Sequence, residues 1–159
     1  MTTFVIVGGG AGGVTAAASL LKRRPKVKTK IIEPQDIHYY QPGWTLVGGG
    51  VFDQKQTIKP LAQVLPDDVE RIKGAVAEFE PDKNRVILTD GKTVEYDVLI
   101  ASPGIKLNWD AIEGLKDALG KDGVTSNYRF DLAPYTWKLV HNLAGGRALF
   151  TQPPMPIKC

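Results

Sequence analysis

Three glycines and one acid carry the first chemistry legible in this chain. Gly8, Gly10 and Gly13 stand in the order G-x-G-x-x-G, and Glu33 follows 20 residues after Gly13. Glycine at the first position permits a tight turn. At the second it lets the backbone approach a pyrophosphate with no Cβ in the way, and at the third it lets a helix pack closely on strands. A helix starting there turns unsatisfied N–H groups and a partial positive charge toward two phosphates. A carboxylate at Glu33 can accept hydrogen bonds from both hydroxyls of a ribose and repels a 2′-phosphate. The expected chemistry is therefore the binding of an ADP moiety that lacks that phosphate.

These residues need elements to position them, and the flanking sequence supplies them. Phe4-Val5-Ile6-Val7 is an apolar run long enough for one buried strand and too short for a helix. Val14 to Lys22 reads as a helix with Ala16, Ala17, Leu20 and Leu21 at helical spacing, and Ile31-Ile32 is a second strand that ends on Glu33. Strand, glycines, helix, strand and acid in register form the opening βαβ unit of a Rossmann-like α/β fold.

Composition narrows the function classes. The 159 residues are 43% hydrophobic, enough for a buried core, and the net charge is only +3. Lys22, Arg23, Arg24, Lys26, Lys28 and Lys30 cluster between the first helix and the second strand. No aromatic residues interleave with them, so a solvated connection is expected rather than a nucleic-acid surface. The opening apolar run is too short for a signal peptide, and no run approaches the ~18 apolar residues of a membrane span. A single cysteine, Cys159, excludes an internal disulfide and a cysteine-based metal cage. An intracellular protein without a metal site is expected.

After the fingerprint, Pro34 to Gly50 has no clean period. It reads as a structured loop, rich in aromatic residues, that leads into a short helix. Such a loop, following the carboxyl end of a Rossmann strand, faces the ligand crevice. Two readings stand open for Tyr39, Tyr40 and Trp44. Either they line a flat aromatic cofactor, with Gln41 offering it an amide, or they pack the domain's edge. His38 reads as a solvated or backbone-bonded loop histidine. Ile58 to Leu65 reads as a short amphipathic helix stopped by Pro66, and Val69 to Phe79 as a strand. Arg85 to Thr89 and Thr93 to Tyr96 flank the hairpin signal Asp90-Gly91, giving an antiparallel meander. Val98 to Ala101 is the next parallel strand, and Gly104 after it permits a sharp turn beside a ligand. Asp110 to Leu119 reads as loop with a helical turn. Leu132 to Leu143 reads as a helix capped by Asp131, with Trp137, Val140, Leu143 and Ala144 on one face. Arg147 to Thr151 is expected as a further buried strand, and Pro153, Pro154 and Pro156 as a rigid extended run.

Four stretches then resemble one family. They are Val7 to Gly13 with Glu33-Pro34; His38-Tyr39-Tyr40-Gln41-Pro42 with Trp44-Thr45-Leu46-Val47-Gly48; Tyr96 to Gly104; and Ser126-Asn127-Tyr128 with Pro156-Ile157-Lys158-Cys159. Together the chain resembles the N-terminal portion of the sulfide:quinone oxidoreductases, in the superfamily of flavoproteins with two dinucleotide-binding domains. The first and third stretches are shared with type II NADH dehydrogenases; the second and fourth are more specific.

The resemblance implies FAD as the dinucleotide, with Gly8, Gly10, Ala11, Gly12 and Gly13 at its pyrophosphate and Glu33 at the adenosine ribose. It implies Gln41 on the flavin side, Val76 at the adenine through its backbone, and Gly104 at the end of the fourth parallel strand. Cys159 matches the family's redox cysteine beside the isoalloxazine, which carries sulfane sulfur, and Lys158 would favour its thiolate. Sulfide and a quinone are the implied substrates, with peripheral membrane contact through regions that this chain does not contain. Residues 1–109 are expected to form an incomplete FAD-binding domain, and 110–159 a linker with the first helix and strand of a second. Since family members run to more than twice this length, a chain truncated after the cysteine is expected. Two rival readings stand beside it: a type II NADH:quinone oxidoreductase, which needs no cysteine at that place, and a nucleotide-binding fragment without catalysis.

Overall fold

A computed structural model describes residues 1–152. The chain opens with β1 (Thr3–Val7), α1 (Ala11–Arg23) and β2 (Lys28–Ile32), followed by β3 (Ile37–Tyr39), α2 (Trp44–Gly48), β4 (Ile58–Pro60) and β5 (Val69–Ile72). The strands β6 (Val76–Glu80), β7 (Arg85–Leu88), β8 (Thr93–Glu95) and β9 (Val98–Ala101) come next, and then the helices α3 (Leu115–Ala118) and α4 (Ala133–His141). Four strands make a parallel sheet in the order β5-β2-β1-β9, and β6-β7-β8 form a separate antiparallel sheet.

The apolar runs of β1 and β2 have no polar face because both faces of the parallel sheet are covered. Ile6 and its register partner Ile31 turn to one face, where they pack with Ala17 of α1. Val5, Val7 and Ile32 turn to the other and meet Val86, Leu88 and Val94 of the meander. One sheet is thus sandwiched between a helix and a second sheet. The Rossmann-like α/β architecture with an antiparallel meander agrees with the sequence reading. Glycine makes the meander's hairpin possible, since Gly91 sits at φ +83° in the turn between β7 and β8.

Several element readings are corrected. Ile58 to Leu65 is not a helix: β4 pairs antiparallel with β3, and only Leu61–Gln63 makes a single 3₁₀ turn. Pro60 lies at the end of this edge pairing, where its missing N–H costs nothing, and Leu61 is fully buried. Val69 to Phe79 is two strands in two different sheets, broken at Lys73-Gly74-Ala75. Asp131 does not cap α4. Its carboxylate pairs with Arg129 instead, and Leu132 takes the cap position with no side-chain bond. Of the side chains expected to share one face of this helix, Trp137 and Val140 of α4 and Leu143 just beyond its end are exposed, and the buried positions of α4 are Ala133 and Thr136. Residues 147–151 form no strand: no neighbouring strand pairs with them among the described residues, and Leu149 and Phe150 are 79% and 84% exposed. Pro153 to Cys159 lie outside the described residues, and the extended run expected there lies outside with them.

Candidate functional site

The glycine loop joins the carboxyl end of β1 to the start of α1, and its glycines are not equivalent. Gly8 has φ +104°, and a Cβ there would sit 2.1 Å from the Ser102 carbonyl oxygen. A Cβ at Gly13 would sit 1.9 Å from the Gly8 carbonyl oxygen. Both positions exclude any side chain because backbone, not a movable group, stands in the way. Gly10 is different, since a Cβ there would meet nothing within 4 Å. Its backbone therefore borders open space at the N-terminus of α1, whose first-turn amides have no partner inside the helix. At Gly12 a Cβ would meet only the Ser102 Cβ, at 3.7 Å. Ala11 is the first residue of α1.

Glu33 stands one residue past the end of β2, and its carboxylate is shared between two backbone donors. The Gly9 N–H donates to Oε2 at 2.7 Å and the Gln35 N–H donates to Oε1 at 2.8 Å. His38 Nδ1 lies 3.0 Å from the Gly9 carbonyl oxygen. Arg71 of β5 donates to the carbonyl oxygens of Glu33 and Gln35 and pairs with Asp36 at 2.9 Å, while Lys73 pairs with Asp36 at 2.6 Å. These cations, Lys73 first and Arg71 second, hold the Asp36 carboxyl below the usual carboxylate range. The sequence reading missed Gly9, Ser102 and Arg71 because each acts through packing or backbone contacts that no motif spells out. Ser102 falls inside the Tyr96 to Gly104 stretch that carries the resemblance, and that is its one signal in the sequence.

The remaining expected residues are distributed around this centre. Gly104 follows β9 with φ +81°, and a Cβ there would meet nothing within 4 Å. Gly8 and Ser102 bring the ends of β1 and β9 together, so Gly104 lies two residues beyond that contact. Gln41 opens a 3₁₀ turn, Gln41–Gly43, that leads into α2. Val76 opens β6, pairs with Leu88 and packs against the core on the meander face of the sheet. The Tyr39 ring packs edge-on against Trp44 and Phe130, and the Trp44 and Phe130 rings are tilted against each other, with centroids 5.0–6.1 Å apart, so Tyr39 and Trp44 form part of an aromatic cluster. Gln54 donates to the Phe130 carbonyl oxygen at 2.8 Å and secures the same cluster. Asn127, from the specific fourth stretch, packs on Gly48, where a Cβ would lie 2.2 Å from its Oδ1. Cys159, expected to be the reactive thiol, lies outside the described residues.

The open edge at Gly10, the N-terminus of α1 and the acid after β2 suit a dinucleotide. Comparison with known proteins agrees. Residues 2–140 match the family model described as pyridine nucleotide-disulphide oxidoreductase. The chain is 45% identical to a mitochondrial sulfide:quinone oxidoreductase of Dictyostelium discoideum, in an alignment that takes in 100% of this chain and 36% of that protein. It is 37% identical to the mitochondrial sulfide:quinone oxidoreductase of Mus musculus, over 87% of this chain and 31% of that one. The X-ray structure of the sulfide:quinone oxidoreductase from Aquifex aeolicus superposes with a TM-score of 0.69 at 26% identity, covering 90% of this chain and 32% of that one. The chain spans about a third of the length of the curated relatives it matches. Among the described residues no helix is long and apolar enough to cross a membrane.

Proposed function

Because this chain belongs to the pyridine nucleotide-disulphide oxidoreductase family, we propose that it holds FAD as part of an enzyme that oxidises sulfide to sulfane sulfur and delivers the electrons to a quinone. The observation that carries the cofactor reading is the open backbone at Gly10, set between the N-terminus of α1 and the Glu33 carboxylate. Likeness to the sulfide:quinone oxidoreductases along the whole chain supports the substrates. Gly8, Gly10, Ala11, Gly12 and Gly13 would border the pyrophosphate and Glu33 the adenosine ribose. Val76 would meet the adenine, Gln41 the flavin side, and Gly104 the cofactor at the end of β9. The residues fit the group: Gly10 leaves room where a Cβ would intrude, and α1 offers amides and positive potential to phosphate. When bound, FAD supplies two-electron redox chemistry between reduced sulfur and a quinone. Cys159 would react as a thiolate and carry the sulfane sulfur as a persulfide, with the two electrons released passing to FAD. Residues 1–109 would form the FAD-binding unit and 110–159 the entry into a second nucleotide-binding domain, with peripheral membrane contact made by other parts of the protein.

Two measurements on the full-length protein test this. The purified protein should show flavin absorbance that denaturation releases as FAD. Cys159→Ser should keep FAD bound yet lose sulfide-dependent flavin bleaching in stopped flow, because a hydroxyl cannot carry sulfane sulfur. Bleaching at the unaltered rate would overturn the role of Cys159 and favour an NADH-oxidising flavoprotein.

A further inference from the structure

Gly9 is held from both sides by side chains that lie far from it in sequence. Its N–H donates to Glu33 Oε2 at 2.7 Å, and its carbonyl oxygen lies 3.0 Å from His38 Nδ1. A carbonyl oxygen only accepts, so Nδ1 carries the hydrogen and His38 is the donor. The described peptide bonds are all trans, so the carbonyl of Gly9 and the N–H of Gly10 point in opposite directions. Drawing the Gly9 carbonyl toward His38 therefore aims the Gly10 N–H away from β3. The next residue begins α1, and the Gly10 carbonyl accepts the Val14 N–H at 3.0 Å. Gly10 is also the position in the loop where an added Cβ would meet nothing. Glycine peptides have the least intrinsic preference for one orientation, so the plane of Gly9–Gly10 needs an external hold.

His38 is itself well anchored for that task. It is the middle residue of β3 and pairs with Lys59 of β4. The following residues Tyr39 and Trp44 lock onto Phe130. We propose that His38 is a positioning residue for the dinucleotide: its Nδ1–H pins the Gly9–Gly10 peptide so that the Gly10 amide faces the phosphate side before the cofactor arrives. The inference rests on the reading that the glycine loop holds FAD. His38 contacts the loop and not the ligand, so its effect reaches the cofactor only through the backbone.

The test titrates FAD into the apo form of the full-length protein, with flavin fluorescence as the readout, for the wild type, His38→Leu and His38→Asn. Leucine keeps bulk and removes the donor. Asparagine places an N–H donor at the position of Nδ1. His38→Leu should weaken FAD binding about tenfold, the equivalent of one lost hydrogen bond, and His38→Asn should recover most of that loss. Leucine binding FAD as tightly as wild type would overturn the proposal. So would equal losses in both variants, because β3 packing and not the donor would then be responsible. If the wild type binds no FAD, the cofactor reading fails and takes this inference with it. A wild type that binds while all three proteins bind alike removes the positioning role alone.

Discussion

At the scale of single residues, the glycines of the loop include two that the fold needs, Gly8 and Gly13, and two, Gly10 and Gly12, where a Cβ would meet no close contact. Gly13→Ala drives a Cβ into the Gly8 carbonyl and should destabilise the apo protein by several kcal/mol, about what backbone-strained or overpacked positions cost. Gly10→Ala meets no atom and has an ordinary extended backbone with φ −72°. It should leave the apo melting temperature almost unchanged and still weaken FAD binding, since the Cβ occupies the approach. Thermal melts beside FAD titrations check both, and a Gly10→Ala protein that binds normally would exclude the pyrophosphate from this edge. Glu33 is already engaged in the fold. Its carboxylate accepts two backbone N–H groups, and the amide of Glu33→Gln can accept only one and turns an NH₂ against the other. The substitution should cost roughly 1–2 kcal/mol of apo stability besides weakening FAD retention. An unchanged apo melt would show that these two backbone bonds contribute no net stability. The spacing of Gly8, Gly10, Gly13 and Glu33 made this centre legible in advance, because the turn and the acid are local requirements of one motif. The Gly9–His38 and Gly8–Ser102 contacts were not legible. They join residues 29 and 94 positions apart, and only the tertiary fold decides those pairs.

At the scale of elements, what decides an assignment is whether a partner lies alongside. The segment from Ile58 to Leu65 has helix-like spacing, yet β3 offers an antiparallel edge and the pairing prevails. Residues 147–151 have strand-like composition and no partner among the described residues, so composition alone does not make a strand. The apolar run of β1 and the Ile31-Ile32 end of β2, in contrast, were readable because burial on both faces leaves these positions apolar. Two tests belong here. Thr29 of β2 is buried with its hydroxyl unpaired, so Thr29→Val, which keeps the β-branched shape, should raise stability by about 1 kcal/mol. A lower melting point would mean that the hydroxyl has a partner in solution. The second concerns the ion pairs of Asp36 with Lys73 and Arg71, which tie the chain after β2 to β5. The folded state lowers the Asp36 pKa. Its contribution is therefore present above the unfolded carboxylate range, near about 4, and is lost as pH falls through the folded value. Asp36→Asn should be less stable than wild type at neutral pH, and the gap should close below about pH 4. Melts of both proteins from pH 7 to pH 3 give the gap directly, and a constant gap would remove the linkage.

At the scale of the whole molecule, the region after residue 109 does not stand apart from the glycine-loop unit. Phe130 completes the Tyr39–Trp44 cluster, Asn127 lies on Gly48, and the Trp137 ring lies where a Cβ on Gly50 would come within 2.5 Å. Gly50 has φ +73°, so a tight turn after α2 and a flat ring on α4 fit one another. Trp44 and Trp137 should accordingly lose their native environments in one transition, which near-ultraviolet dichroism and far-ultraviolet dichroism together would register as coincident curves. The same region also leaves apolar surface uncovered, at Ile112, Val140, Leu143, Leu149 and Phe150. The parallel sheet adds two edges among the described residues, β5 and β9. Unpaired strand edges and contiguous apolar patches both favour association. The 159-residue chain studied by itself should therefore self-associate, with a sedimentation coefficient that rises with loading concentration. Leu149→Ser combined with Phe150→Ser should lower that association without changing the melt, because neither side chain is packed. A compact monomer at every concentration, or a double variant that associates like the parent, would show that these side chains do not drive it.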